Sequence, residues 1–221
     1  MSWTFRPLSE DRNAGHWIPQ LLPWVWEAGE PYYSWFFEGI AATDQPQPIL
    51  AGWMRRRSSE VSLERTVLLV DEDRAVAGFI ALGGLDLQAC RRADTLAALQ
   101  ATSPEGRSLL ASRIRQSREL FGPVGADEYY LSKLWVAAGS RRAGHGARIV
   151  REYLRTGLAH GFRRFRLDVC APNRAAVGLY LASGFAVLRE SGDDQAGMTY
   201  LQMALELGED REPAPARTAG Q

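Results

Sequence analysis

Apolar and polar positions change period several times along the chain, and each change marks an element. Trp3, Phe5 and Pro7 alternate against Thr4 and Arg6, which predicts a short first strand from Trp3 to Leu8. From Trp17 to Phe37 the spacing turns helical: Ile18, Leu21, Leu22, Val25 and Trp26, then Tyr33, Phe36 and Phe37. Gly29-Glu30-Pro31 divides that stretch into two short helices. Ile49 to Arg57 reads as another helix with a basic end. Val67–Val70 and Ala75–Leu82, separated by Asp71-Glu72-Asp73-Arg74, read as a hairpin.

From Leu85 to Val124 the chain is polar, Arg-rich and helical in pattern. Two helices are expected there, about Arg92–Gln100 and Pro104–Leu120, with Ser103-Pro104-Glu105 as a helix start. The block is an excursion between strands and a candidate wall for a substrate pocket. Tyr129 to Val136 is rich in aromatic and branched residues and reads as a strand. Ala147, Val150, Leu154 and Leu158 recur at helical spacing, so Gly144 to His160 is a helix stopped by Gly161. Phe165, Leu167 and Val169 alternate against Arg164, Arg166 and Asp168, giving the next strand. Asn173 to Ser183 is a helix ended by Gly184, and Phe185–Arg189 and Met198–Glu206 close the fold as strands. Strand-helix-strand between Tyr129 and Val169 favours a parallel pair joined by a right-handed crossover. The expected organisation is one domain over 1–207, with a helical insert at 85–124. Residues 208–221, rich in Pro, Ala and charge, are expected to be a disordered tail.

Composition removes several functions. At 221 residues, 46% hydrophobic and 24% charged, the chain can build a core without metal or disulfide staples. No run of about 18 apolar residues suggests a membrane span. Met1-Ser-Trp-Thr-Phe-Arg6 has no basic leader before an apolar stretch, so a secretory signal is not expected and the cytoplasm is. The formal net charge is zero, so the balance does not argue for nucleic acid or an anionic membrane as partner. Lys133 is the only lysine. Cys90 and Cys170 lie far apart without metal-ligand spacing, so reduced thiols and no metal are expected.

The most informative stretch runs from Leu134 to Val150. A strand stops, a loop with three glycines follows, and a helix starts. The first turn of a helix has unpaired N–H groups and a partial positive charge. Glycines let a phosphate approach that backbone, and Arg141 and Arg142 add charge. The Walker pattern is absent, and Ile149 stands where a dinucleotide fingerprint needs its third glycine. A tight strand-to-helix turn without a ligand is the plain alternative.

Arg141-x-x-Gly144-x-Gly146-Ala147, directly after an apolar strand, resembles the Gln/Arg-x-x-Gly-x-Gly/Ala signature of the GNAT N-acetyltransferase superfamily. Ala171-Pro-Asn-Arg-Ala-Ala-Val-Gly-Leu-Tyr180, followed by Gly184-Phe185, resembles that family's second signature. The match covers about 60 residues. Tyr130-Leu-Ser-Lys-Leu-Trp-Val136 is similar to the matching strand of polyamine-acetyltransferase-like members. The resemblance implies an α/β (α+β) fold, the acyl-CoA N-acyltransferase fold. Its sheet is mixed, mostly antiparallel and twisted, with about seven strands flanked by helices.

The resemblance also implies acetyl-CoA as cosubstrate and a primary amine of a small molecule or peptide as acceptor; a homodimer is left open. Leu134, Trp135 and Val136 would bond the pantetheine arm by their main chain. The amides of Arg142, Ala143, Gly144, His145, Gly146 and Ala147 would hold the diphosphate, with Arg141 beside them. Asn173 would contact the cofactor, or simply cap its helix. Tyr180 would protonate the departing thiolate, or be a core tyrosine. Glu128, Ser132, Asp168 and Glu38 stand as candidates for the base. The aromatic residues Trp24, Trp26, Tyr32, Tyr33, Trp35, Phe36 and Phe37 fit an acceptor pocket or an ordinary core equally well. A non-catalytic acyl-CoA sensor on the same fold is the rival reading, separated from the enzyme by turnover of an amine panel.

Overall fold

The computed structural model describes residues 3–40, 46–104, 106–193 and 197–208. Seven strands form one sheet: β1 (Trp3–Pro7), β2 (Thr66–Asp71), β3 (Arg74–Gly83), β4 (Glu128–Val136), β5 (Arg164–Cys170), β6 (Ala186–Asp193) and β7 (Met198–Glu206). Their order is β1-β2-β3-β4-β5-β7-β6. Only β4 and β5 run parallel; every other neighbour is antiparallel. The mixed α/β fold expected from the motifs is therefore the one observed.

Three helices, α1 (Ile18–Ala28), α2 (Tyr32–Phe37) and α3 (Gln47–Arg55), precede β2. They pack on one face of the sheet through Leu21, Val25, Phe36, Leu50 and Met54. Helices α4 (Gly84–Ala101) and α5 (Gly106–Leu120) follow β3, α6 (His145–Ala159) joins β4 to β5, and α7 (Arg174–Ala182) follows β5. Helix α6 lays Ile149, Val150 and Tyr153 on the opposite face, where Phe79, Phe165 and Leu167 meet them. Each fully buried side chain of this size stabilises the fold by about 1.5–3 kcal/mol.

Helix α4 begins eight residues before the expected Arg92. Its apolar stripe is broken because Asp94 is buried and the Arg91 side chain is largely so, which hides the helical period. A glycine is required at its start, since a Cβ on Gly84 would lie 1.9 Å from Gly125 O. Helix α3 ends at Arg55, before the expected Arg57, and β1 ends at Pro7, before Leu8. Glu105, in the expected start of α5, and residues 209–221 of the expected tail lie outside the described residues.

The register around β4 positions the site. β4 pairs with β5 from Glu128↔Arg164 to Leu131↔Leu167 and no further. Yet β4 stays paired with β3 to Val136↔Ala77, and β5 stays paired with β7 to Cys170↔Tyr200. The two strands therefore part beyond Leu131 and Leu167, leaving a wedge in the sheet. Tyr153 ties them just before they part. Its buried hydroxyl lies 2.5 Å from Tyr129 O and 3.2 Å from Arg166 O. Among the described residues no helix is long and apolar enough to cross a membrane.

Candidate functional site: a wedge between two strands

The free edge of β4 follows from strand alternation. Ala137 donates to Val76 O at 2.8 Å. Alternate residues of an antiparallel pair share an edge, so Trp135 also faces β3, opposite Gly78. Leu134 and Val136 face the wedge instead. Of the three positions expected to meet a pantetheine arm, two thus offer main-chain groups to the opening. Trp135 offers none; its buried ring packs over Gly78, where an added Cβ would meet it at 2.5 Å.

Beyond β4 the backbone turns sharply. Ser140 N donates to Ala137 O and Arg141 N to Ala138 O, closing a short 3-10 turn over Ala138–Ser140. Arg142 (φ 62°) and Gly144 (φ 78°) are both left-handed. Glycine takes this conformation freely, whereas a residue with a side chain pays about 1–2 kcal/mol. Strain of this kind gathers where backbone groups must be aimed. Helical bonding begins only at Arg148 N, which donates to Gly144 O at 3.2 Å. Among the described residues, the amides of Arg142 to Ala147 have no internal acceptor, and a Cβ on Gly144 would meet nothing within 4 Å. Backbone donors left free at a helix N-terminus suit an anion.

Several side chains of this stretch do other work. Arg141 turns away from the cradle: its Nε donates to Val136 O at 3.1 Å and its guanidinium to Glu27 Oε1 at 2.6 Å. His145 is buried, edge-on to Trp3 at 4.6 Å between ring centroids. Burial, helped by Arg148, holds its imidazole below the ordinary value. Gly146 lies against α7, where a Cβ would meet Leu179 Cδ2 at 3.1 Å. Asn173 caps α7 by accepting the Ala176 N–H at 3.1 Å. Tyr180, two turns on, is buried edge-on to Phe185. Its hydroxyl has no hydrogen-bond partner among the described residues, and burial alone pushes the phenol above its ordinary value.

On the other face, the wedge opens into a cavity of about 650 Å³. Its walls come from α2, α4, α5 and the inner ends of β4 and β5, so the excursion between β3 and β4 does form one wall. The aromatic group divides. Tyr32, Tyr33 and Phe36 line the cavity, while Phe37 is buried core and Trp24, Trp26 and Trp35 pack around that core.

Charged side chains fill the floor. Glu60 accepts from Ser132 Oγ at 2.7 Å and from Arg91 Nε at 3.0 Å. Burial pulls its carboxyl up, but Arg91, Lys133 and the Ser132 hydroxyl outweigh that and hold it below the ordinary value. Asp168 sits on β5 one residue past the end of its pairing with β4. Its Oδ2 accepts from Tyr130 at 2.9 Å, and its buried Oδ1 has no partner. Burial pushes Asp168 from 3.8 to about 6, against the Tyr130 bond and the nearby arginines.

This separates the four base candidates. Asp168 and Ser132 line the cavity. Glu128 is spent on the Gly125 N–H at 2.6 Å, and Glu38 is exposed beside Arg113 at 3.8 Å. Glu60 was not among the four. It lies in the irregular segment after α3, 72 residues from its partner Ser132, and no local pattern signals it. Among the described residues no group of His, Cys, Asp and Glu could hold a metal ion, and Cys90 and Cys170 are free.

A family profile described as "Acetyltransferase (GNAT) family" matches residues 26–185. The chain belongs to the GNAT acetyltransferase family. Among solved structures, a crystal structure described as an acetyltransferase superposes at a TM-score of 0.59 and 16% identity, covering 93% of this chain and 100% of that one. An N-acetyltransferase from Staphylococcus aureus Mu50 also reaches 0.59, at 15% identity over 85% of this chain and 96% of the other. A structure of the NatC complex bound to Gag peptide and CoA reaches 0.52, at 12% identity over 94% and 100%. At such identities the structural likeness establishes the fold. A comparison with curated proteins gives no match. The family makes this GNAT chain an acyl-CoA-dependent N-acyltransferase.

Proposed function

We propose that this GNAT chain moves an acetyl group from acetyl-CoA directly to the primary amine of a small molecule or peptide, in the cytoplasm. The observation that carries the reading is the wedge itself. It lies between the free amides on the loop before α6 and a charged cavity on the opposite face of the sheet. The NatC neighbour, whose structure holds CoA, supports CoA as the carrier.

In this reading the diphosphate lies on the amides of Arg142 to Ala147. The pantetheine arm runs along Leu134 and Val136 by strand-edge pairing. Arg141 must release Val136 O or share it. The thioester then sits in the wedge, and Val136 N–H meets its oxygen as charge develops.

In this reading the two proton-handling groups work from opposite faces of the sheet. Asp168 and its partner Tyr130 face the cavity, whereas Tyr180 packs with Leu134 and Val136 on the α6–α7 side. The amine enters from the cavity and gives a proton to Asp168 Oδ1. Its nitrogen forms the N–C bond, the C–S bond breaks, and Tyr180 donates its proton to the thiolate on the far side. No covalent enzyme nucleophile is needed, so Cys170 takes no part.

Thiol release from acetyl-CoA with a broad amine panel tests the reading. Turnover supports it; CoA binding without turnover on any amine supports the sensor instead. Tyr180→Phe is expected to lower kcat about 10- to 100-fold, below the full range for general acid catalysis because water can protonate a thiolate. CoA affinity should change less than threefold, to about that precision. Equal kinetics at every pH would remove the role given to Tyr180.

A further inference from the structure

Two opposite charges on the cavity floor, Lys133 and Asp168, are not paired with each other. Lys133, the only lysine of the chain, points into the cavity from β4. Its ammonium donates to Ser132 O at 3.1 Å and Ser132 Oγ at 3.5 Å, and lies 5.1 Å from the Tyr33 ring centroid. Among the described residues no carboxylate comes within 4.0 Å of it. A half-buried ammonium held only by neutral oxygens and a ring is under-paired. Burial holds Lys133 below its ordinary value, against the pull of Glu60.

The neighbouring charges do not fill this gap. Glu60 is committed to Arg91 and Ser132, and Asp94 to Arg56, Ser59 Oγ and Glu60 N. Arg92 and Arg118, exposed at the cavity rim, have no ion pair among the described residues. Among the described residues that line the cavity, what lacks an opposite partner is one carboxylate oxygen, Asp168 Oδ1, and the half-buried Lys133 ammonium, with the Arg92 and Arg118 cations outside. Between them the walls are aromatic and apolar, with Tyr32, Phe36, Trp53 and Phe121.

We infer that the acceptor is itself zwitterionic: an amino acid with a bulky apolar side chain, its amine at Asp168, its carboxylate at Lys133 and its side chain on the aromatic wall. This rests on the acetyl-transfer reading. Paired charges inside a cavity discriminate by leaving protein groups stranded when the ligand lacks its half of the pair. A plain amine would leave Lys133 without an anion; an amine of either kind satisfies Asp168.

The test compares tryptophan, phenylalanine and leucine with their primary amides, using thiol release from acetyl-CoA. The amides keep the shape but lose the negative charge. Their amines are also less basic, so a preference for the acids cannot come from more free amine. The acids are expected to show kcat/KM at least about tenfold higher, the size of one lost charged hydrogen bond. In Lys133→Met that acid-to-amide ratio should fall about tenfold or more, with melting temperature and CoA affinity recorded to confirm folding. Amides used as well as acids by the native protein, or a ratio unmoved by Lys133→Met, would overturn the inference while leaving acetyl transfer intact. Absence of thiol release with acids, amides and uncharged amines alike would overturn both.

Discussion

Asp168→Asn is expected to lower kcat by about 10²- to 10⁴-fold, the usual range for a general base, while making the protein more stable at neutral pH. The two effects have one cause. Burial disfavours the charged carboxylate, which places its pKa near 6 instead of 3.8. A base with that value is ionised enough to act at neutral pH and accepts a proton readily. Asparagine keeps the shape and can still accept from Tyr130, but it cannot take a proton.

The sign of the stability effect follows from linkage. The folded state holds the Asp168 proton more tightly than the unfolded state does. Its contribution is therefore complete below about pH 4 and is lost as pH rises through about 6. Above that range the buried charge costs about 1–3 kcal/mol, which the substitution removes. Melting curves should show a gain for Asp168→Asn at pH 7–8 that shrinks towards pH 4. The rising limb of the native rate profile near pH 6 should vanish in the variant. A variant that is less stable at pH 8, or as active as the native protein, would remove Asp168 from the role.

The parts of this site that could be read from sequence are local ones. A glycine loop after an apolar strand and a helix start are written within a dozen residues, and backbone physics makes them a candidate anion site. Asp168 could be named only as one candidate among four, because its value depends on where β4 and β5 part, which is a property of register. Glu60 stayed invisible because an irregular segment carries it to Ser132 across the domain. Side-chain fates were the least legible. Nothing in the residue order shows that Arg141 reaches back to Glu27, that His145 packs under Trp3, or that Trp135 belongs to the β3 edge. The early start of α4 was hidden for a related reason: its buried Asp94, held by Arg56 and the Ser59 hydroxyl, breaks the apolar period.

Ala147→Asp is expected to weaken CoA binding about 100-fold without harming the fold. The position lies in the first turn of α6, where an added carboxylate is favourable by about 0.3–1 kcal/mol through the helix dipole. The ligand-free protein should therefore melt no lower than the native one. The same carboxylate would face a diphosphate within one helical turn. At an intermediate dielectric that repulsion is worth about 3 kcal/mol, or about two decades in affinity. Part of the loss should be recovered at high ionic strength, since screening shortens the reach of the repulsion. Titration calorimetry at two salt concentrations reads both effects, and native affinity in the variant would place the diphosphate elsewhere.

Backbone amide chemical shifts during a CoA titration give the most direct view of the wedge. The largest changes should fall on Arg142 to Ala147, with Val136 next and residues on β1 and β6 unmoved. Saturable CoA binding that leaves the amides of Arg142 to Ala147 unshifted would contradict the assignment of the anion cradle, and with it the route of the acyl group through the sheet.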